Sequence, residues 1–407
     1  MTKKKLKIAI FHLAFFYSGG GEKLVLEEMK GLMKRGHRVV CFVPVLEKQS
    51  CYPDLIDQYE IRTFFPKWPR VLQRQASLKI FLTCLFFPLI ARKFKSYDVI
   101  LGAGQPGFWF GWWVKKLTAV PYVIYANQPT RVLYPRQVDK VTGIWMQKQS
   151  RLPLVLNFLK PLVNWADKVS IKGGEEMLAN GAYISRVLKK IYHRDNLICP
   201  SGAYPVKQLS ADRWQGKVKA NGFKISKPYI LITNRHFPQK KFEYAINALP
   251  LILKANRSVK LVITGNRTEY TKSLNRLVRE RQLTDKVLFT GLVKEQDLQR
   301  LYRQAAVYLY TSPEEDFGMG VIEAQAAGVP VIAWKSGGPA TTVVDGQTGC
   351  LVKLYNQEEF TKKTIELIKN KTKNRIMGQK AREHIKRNFV WKRHWDILET
   401  ALQKAAK

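Results

Sequence analysis

The sequence is short of negative charge: it sets 31 Asp and Glu against 69 Lys and Arg, a formal charge of +38 over 407 residues. An excess of that size calls for polyanionic company, whether an anionic membrane surface, a diphosphate-bearing substrate or nucleic acid. Nucleic acid has only the charge behind it and is not expected, because zinc-finger spacing, an RNP-like aromatic motif and a basic heptad region are all missing. Cysteine is scarce as well. Cys41, Cys51, Cys84, Cys199 and Cys350 are odd in number and scattered, with no Cys-x-x-Cys pair, which argues against a disulfide framework and points to a reducing compartment. There is no Asp-x-Asp triplet, so a metal-bridged diphosphate site has no support and no metal is expected. Internal repeats and low-complexity tracts are absent, and a hydrophobic content of 46% excludes disorder. The length allows two or three domains.

The basic start, Met1 to Lys7, followed by Ile8 to Tyr17 has the outline of a signal peptide. His12 interrupts the apolar stretch, however, and no small-x-small cleavage site follows. The spacing instead predicts a strand, a helix from Leu24 to Arg35 capped by Gly36, and a second strand from His37 to Val43, the first β-α-β unit of an α/β fold. No acidic residue follows a Gly-x-Gly-x-x-Gly pattern there, so a nicotinamide-binding unit fits poorly.

The most informative stretch lies further on. Ala306 to Tyr310 reads as a buried parallel strand, Val321 to Ala327 as a short helix stopped by Gly328, and Val329 to Trp334 as the next strand. Gly318, Met319 and Gly320 open that helix, where backbone N–H groups can approach an anion such as a diphosphate. Glu315 falls in the loop and Glu323 in the first helical turn, so two carboxylates can hold different parts of one elongated ligand, and carboxylates accept sugar hydroxyl hydrogens well. The bland alternative makes Glu315 a helix-dipole partner and Glu323 a solvated helix residue. Upstream, the strand beginning at Leu231 ends in a basic loop bearing Arg235 and Lys240 at the strand's carboxyl end, where open α/β sheets bind ligands. An arginine forks onto phosphate oxygens and a lysine adds a point charge; each taken alone also reads as an ordinary surface cation. Leu261 to Gly265 and Val287 to Val293 supply two further strands, so residues 225 to 355 read as one doubly wound domain.

With these motifs the chain resembles the retaining glycosyltransferases of family 4, and the resemblance covers nearly its whole length. The Gly19-Gly20-Gly21-Glu22-Lys23 loop and Tyr125-Ala126-Asn127-Gln128-Pro129-Thr130-Arg131 make it similar to the mannosyltransferase branch that builds lipid-linked oligosaccharides and surface polysaccharides. The resemblance implies a GT-B fold, two doubly wound Rossmann-like domains facing a cleft. An N-terminal acceptor-side domain would span 1–205, a nucleotide-sugar domain 206–380, and a C-terminal helix, 381–407, would cross back to the first. It implies that Arg235 and Lys240 bind the donor diphosphate beside Gly318, Met319, Gly320 and Val321, that Glu323 binds the ribose hydroxyls, and that Glu315 contacts the transferred sugar. The backbone at Leu292 and Val293 would read the base, and Gly20 and Gly21 would approach the phosphates and acceptor. No separate cofactor is implied beyond a donor substrate, GDP-mannose or a UDP-sugar, and the acceptor would be a lipid-linked glycan. Two positions depart from the family pattern: Asn127 stands where many relatives carry histidine and cannot shuttle a proton, and Thr341 stands where they often carry glutamate. A catalytically silent nucleotide-sugar binder is the alternative these departures suggest.

Charge and branch together place the protein in the cytoplasm, peripheral on the cytoplasmic face of a membrane. Leu78 to Ala91, with Lys79 near its start and Arg92, Lys93 and Lys95 after it, is too short to span a bilayer. It reads either as a buried helix or as an element lying in the interface. The aromatic run Phe108 to Trp113 invites the same two readings, with core packing the simpler. Residues 183 to 192 read as an amphipathic packing helix on Ile184, Val187, Leu188 and Ile191.

Overall fold

Apolar runs of about five residues that end in glycine or a polar turn, alternating with helical stretches, fold here into two parallel sheets. The computed structural model describes residues 4–65, 67–69, 72, 75–143, 159–206 and 213–407; Met1 to Lys3 of the basic start lie outside them. The chain forms two units: one contains Met1–Arg136, Gly143–Ser201 and Trp391–Lys407, the other Gln137–Thr142 and Gly202–Val390.

The first unit holds β1 (Lys7–His12), β2 (Arg38–Val43), β3 (Ile61–Thr63), β4 (Val99–Ala103), β5 (Tyr122–Ala126), β6 (Met177–Ala179) and β7 (Leu197–Ile198). They lie in the order β3-β2-β1-β4-β5-β6-β7 and every pair is parallel. The order reverses between β1 and β4, the topological switch point of a doubly wound sheet, where a crevice opens at the strands' carboxyl ends. Helix Gly20–Lys34 follows β1. It starts four residues before the expected Leu24, so Gly20 and Gly21 form its first turn rather than a free loop. Gly19, in extended conformation, is its N-cap.

The second unit contains β10 (Tyr229–Thr233), β11 (Lys260–Thr264), β12 (Val287–Gly291), β13 (Val307–Tyr310), β14 (Val331–Trp334) and β15 (Gly349–Val352), in the order β12-β11-β10-β13-β14-β15 and again all parallel. Its switch point lies between β10 and β13. Alternation sends Ile230 and Ile232 of β10 to one helical layer and Tyr229 and Leu231 to the other, and all four are fully buried. A hairpin, β8 (Lys217–Ala220) with β9 (Phe223–Ser226), precedes this sheet. Asn221 and Gly222 both take positive φ there, the turn that matches strand twist.

The C-terminal stretch expected as one helix over 381–407 belongs to two helices. Lys371–Asn388 is continuous through residue 381 and stays with the second unit, because Ile385 packs on Ile322 and Ala326. Trp391–Ala405 packs on the first unit. There Trp395 donates its indole N–H to the Glu27 carbonyl at 2.8 Å, Arg35 meets Asp396 at 2.5 Å, and His37 meets Glu399 at 3.0 Å. The segment 137–142, expected in the N-terminal domain, sits in the second unit, with the Val138 N–H donating to Glu314 Oε2 at 3.0 Å. Among the described residues no helix is long and apolar enough to cross a membrane.

His394 in the final helix is fully buried, its Nδ1 3.0 Å from the Pro200 carbonyl and its Nε2 3.5 Å from Glu28 Oε1. Burial disfavours its cation, but Cys199 and Glu28 beside it prevail and raise its pKa to about 10. Burial also pushes Glu28 up, with His394 offsetting part of the rise. A basic group raised on folding lends stability that is fully present below its unfolded pKa, near 6.5, and is lost as pH climbs toward 10. His394→Gln is therefore expected to lower the melting temperature at pH 6.5 by more than at pH 10. Parallel melting curves for the two proteins across that range would remove the buried pair from the account.

Candidate functional site

Most of the residues singled out in the second unit gather at its switch point; Leu292 and Val293 do not. β10 ends at Thr233, and the backbone carries on through Asn234 and Arg235, tied to the next strand's loop by the His236 N–H donating to the Asn266 carbonyl at 3.0 Å. A short 3-10 turn, Pro238–Lys240, then brings Lys240 beside the end of β13. Its carbonyl accepts from the Thr311 hydroxyl at 2.7 Å, and its ammonium meets Glu315 Oε2 at 2.5 Å. Both side chains of the pair are more than four-fifths buried. Ser312 donates to the same carboxylate oxygen at 2.7 Å, and the Glu315 carbonyl accepts from the Gly338 N–H at 2.6 Å. Lys240 and Glu315, 75 residues apart, are thus fixed in one place by two loops.

Helix Met319–Ala326 begins directly after this pair. Gly318 is its N-cap in the left-handed region (φ 87°), with no side chain capping the first amides. The helix starts two residues earlier than the expected Val321, so Glu323 lies in its second turn rather than its first. Glu323 accepts from the Tyr302 hydroxyl at 2.9 Å. The Thr233 hydroxyl lies 2.7 Å from both Tyr302 and Tyr308, so β10, β13 and helix Glu295–Gln304 share one hydroxyl cluster beneath the helix start. Burial raises both tyrosine pKa values, and the Glu323 charge raises them further; both phenols are neutral. Tyr302 and Thr233 were not legible as site residues: a tyrosine beside Leu301 on the buried stripe of a polar helix reads as packing until its hydroxyl partner is seen.

Arg235 lies over Phe237, 5.3 Å from the ring centroid. Leu292 and Val293 follow β12, at the edge of the sheet and two strands from β10. The Leu292 carbonyl accepts from Asn221 at 3.2 Å. Met319 and Gly320 are half-exposed, whereas Val321 is buried in the core. Thr341, in the short helix Pro339–Thr342 that follows Gly338, donates its hydroxyl to the Gly338 carbonyl. Among the described residues no cluster of His, Cys, Asp or Glu suits a metal ion.

The first unit has its own convergence at the carboxyl edge of β1, β4 and β5. A Cβ on Gly21 would lie 3.4 Å from Asn127 Nδ2, and one on Gly104 would lie 3.7 Å from Asn127 Oδ1, so helix start, β4 loop and Asn127 are neighbours. The Asn127–Arg131 loop is held by Asp167, whose Oδ1 accepts from Thr130 at 2.6 Å and Gln105 at 2.9 Å while Oδ2 accepts from Tyr192 at 2.9 Å. Burial raises the Asp167 pKa against these three donors. His12 ends β1 with Nδ1 2.9 Å from the Ala103 carbonyl and Nε2 buried without a partner. Burial lowers its pKa, so the ring is neutral. Its only signal in the sequence was a polar residue interrupting the first apolar run ahead of the glycines.

The match to known proteins is broad. Residues 216–384 match the model for glycosyl transferases group 1, and residues 18–201 match the model for glycosyltransferase family 4. The chain is 23% identical over 444 aligned positions to the alpha-1,3/1,6-mannosyltransferase ALG2 of Dictyostelium discoideum, covering 99% of each protein. It is 30% identical over 194 positions to a GDP-mannose-dependent phosphatidylinositol monomannoside mannosyltransferase of Corynebacterium glutamicum, covering 46% of this chain and 49% of that one. In fold it is similar to Anabaena HepE, crystallised with UDP-glucose, with a TM-score of 0.72 at 17% identity over 98% of this chain and 100% of that one.

The hydroxyl cluster sets a condition on Gly320. A Cβ there would fall 2.2 Å from the Tyr308 hydroxyl and 3.0 Å from that of Thr233, and Tyr308 is fully buried and cannot withdraw. Gly320→Ala is expected to destabilise the protein by about 1–3 kcal/mol, and adding Tyr308→Phe is expected to recover much of the lost melting temperature. Strictly additive melting shifts in the double variant would contradict the contact.

Proposed function

Because the chain belongs to the group 1, family 4 glycosyltransferases, we propose that it moves a hexose, mannose before others, from a nucleotide-sugar to a lipid-linked or membrane-associated glycan, with retention at the anomeric carbon. The observation that carries this reading is the Lys240–Glu315 pair, 2.5 Å apart, beside the uncapped start of helix Met319–Ala326. A departing diphosphate needs positive charge where its own negative charge grows, and preorganised cations and helix amides supply it without reorganisation. Lys240, Arg235 and the helix amides fill that role, so the leaving group departs without a metal ion. Glu315, released from Lys240 as the diphosphate takes over the ammonium, turns to the hydroxyls of the transferred sugar. Glu323, oriented by Tyr302, holds the ribose hydroxyls. The leaving phosphate accepts the acceptor proton, which is consistent with an asparagine at position 127.

The mannosyltransferases among the relatives support GDP-mannose as donor, and HepE with UDP-glucose keeps UDP-sugars as the second choice. The charge of +38 and the membrane-lipid acceptor in the name of the Corynebacterium protein support a membrane-associated acceptor and a peripheral position on the cytoplasmic face.

Two measurements test this reading. Melting of the purified chain against GDP-, UDP- and ADP-sugars is expected to show stabilisation by one donor, lost in Glu323→Ala; no stabilisation by any of them would contradict the site. With that donor, Arg235→Ala is expected to lower kcat/KM by about 2–3 kcal/mol of transition-state stabilisation, the value of a charge-assisted phosphate contact. Donor binding without turnover in the wild-type chain would favour the silent binder.

A further inference from the structure

Helix Ala76–Ile90 does not behave like the rest of the first unit. Its sequence is apolar all round, broken only by Ser77, Lys79 and Thr83, and such a helix belongs either in a protein core or in lipid. The core is excluded by its exposure: only Thr83 and Phe87 are buried, while Leu85 is 58% exposed, Phe86 45% and Leu89 79%. A full span is excluded by length, since fifteen residues rise about 22 Å against a hydrocarbon core of about 30 Å. The buried-helix reading of the sequence is therefore corrected.

The helix is held from one side. Phe87 enters the aromatic core, its ring 4.5 Å from that of Phe110 and 5.2 Å from that of Phe64. Pro88 has no N–H, which orphans the Cys84 carbonyl one turn back. The Trp109 indole N–H donates to that carbonyl at 3.2 Å, and the Thr83 hydroxyl bonds the Lys79 carbonyl at 2.7 Å. Satisfying polar groups internally is what a helix needs if its outer face leaves water. Trp109 joins this face to a second one, because its ring lies 5.8 Å from Trp165, itself 48% exposed. In the sequence on either side of this helix the charge is nearly all of one sign. Residues 61 to 138 carry twelve Lys and Arg and one acidic residue, Asp98, and Arg92, Lys93 and Lys95 are exposed directly after the helix.

We propose that Leu85, Phe86 and Leu89 insert into the interfacial region of an anionic lipid bilayer, with Trp165 at headgroup level and Arg92, Lys93 and Lys95 on the lipid phosphates. Apolar burial supplies the attachment and the basic flank selects anionic lipid. The surface takes its purpose from the membrane-associated acceptor of the proposed function, while its evidence is separate.

The test is flotation of the full chain with phosphatidylcholine vesicles, with and without phosphatidylglycerol. Binding is expected on the anionic vesicles and is expected to weaken with salt. The combined Leu85→Ser, Phe86→Ser and Leu89→Ser variant is expected to lose roughly tenfold or more of that binding and to keep its melting shift with the nucleotide-sugar. A second variant, Arg92, Lys93 and Lys95 each to Gln, is expected to lose the preference for phosphatidylglycerol. Unchanged vesicle binding in the serine variant would overturn the proposal. So would a wild-type chain that ignores vesicles but sediments as a dimer which the serine variant dissolves, since a second copy would then cover the face. Loss of the nucleotide-sugar shift in the wild type bears on the transferase reading alone.

Discussion

A parallel sheet that reverses its strand order leaves two neighbouring loops with nothing packed between them. In the second unit those loops follow β10 and β13, and Lys240 and Glu315 close the gap at 2.5 Å. The rest of that unit's site depends on this contact. Thr311 and Ser312 hold the two partners from the end of β13, the Gly338 N–H holds the Glu315 backbone, and the helix bearing Glu323 starts four residues beyond Glu315. A cation and a carboxylate paired away from most solvent satisfy one another, and the same cation is what a diphosphate needs. In the proposed function the pair that secures the loops also sets the threshold a donor must exceed to bind.

The sheets themselves were legible because a parallel strand buried on both faces is a short, almost unbroken apolar run, and Leu231, Leu261, Val287 and Val307 each sit in one. Glu315 and Glu323 stood out because they fall in the loop and on the helix that follow such a run, at the carboxyl end where open α/β sheets bind ligands. What lay hidden had its cause in tertiary contact. The Asn221–Gly222 hairpin carried a strong turn dipeptide, but its flanking strands are only four residues each. Helix starts at Gly20 and Met319 escaped notice because glycine is read as a breaker, whereas here it sits at or beside an N-cap. Tyr302, Asp167 and His12 are buried, and the partners that give them a role are 21 or more residues away. No local pattern encodes that distance.

The two units solve one problem with different chemistry. At its switch point the first places the Asn127 amide beside Gly21, with a neutral His12 at the end of β1. Charge lies around them: Glu22 in the first turn of the helix, Arg131 in the Asn127 loop, and Asp167, which three hydrogen bonds commit to holding that loop. The second unit brings a cation and a carboxylate into direct contact at the corresponding edge. The difference follows from the residues at the strand ends and not from the shared fold.

In the proposed function Lys240 exchanges Glu315 for a donor diphosphate, and phosphorus NMR of GDP-mannose and UDP-glucose titrated with the protein reads that exchange. One donor's diphosphate resonances are expected to shift and broaden with the wild-type chain, and Lys240→Ala, still folded by its melting curve, is expected to leave them at their free positions. Resonances that move equally with both proteins, or with neither, would contradict it.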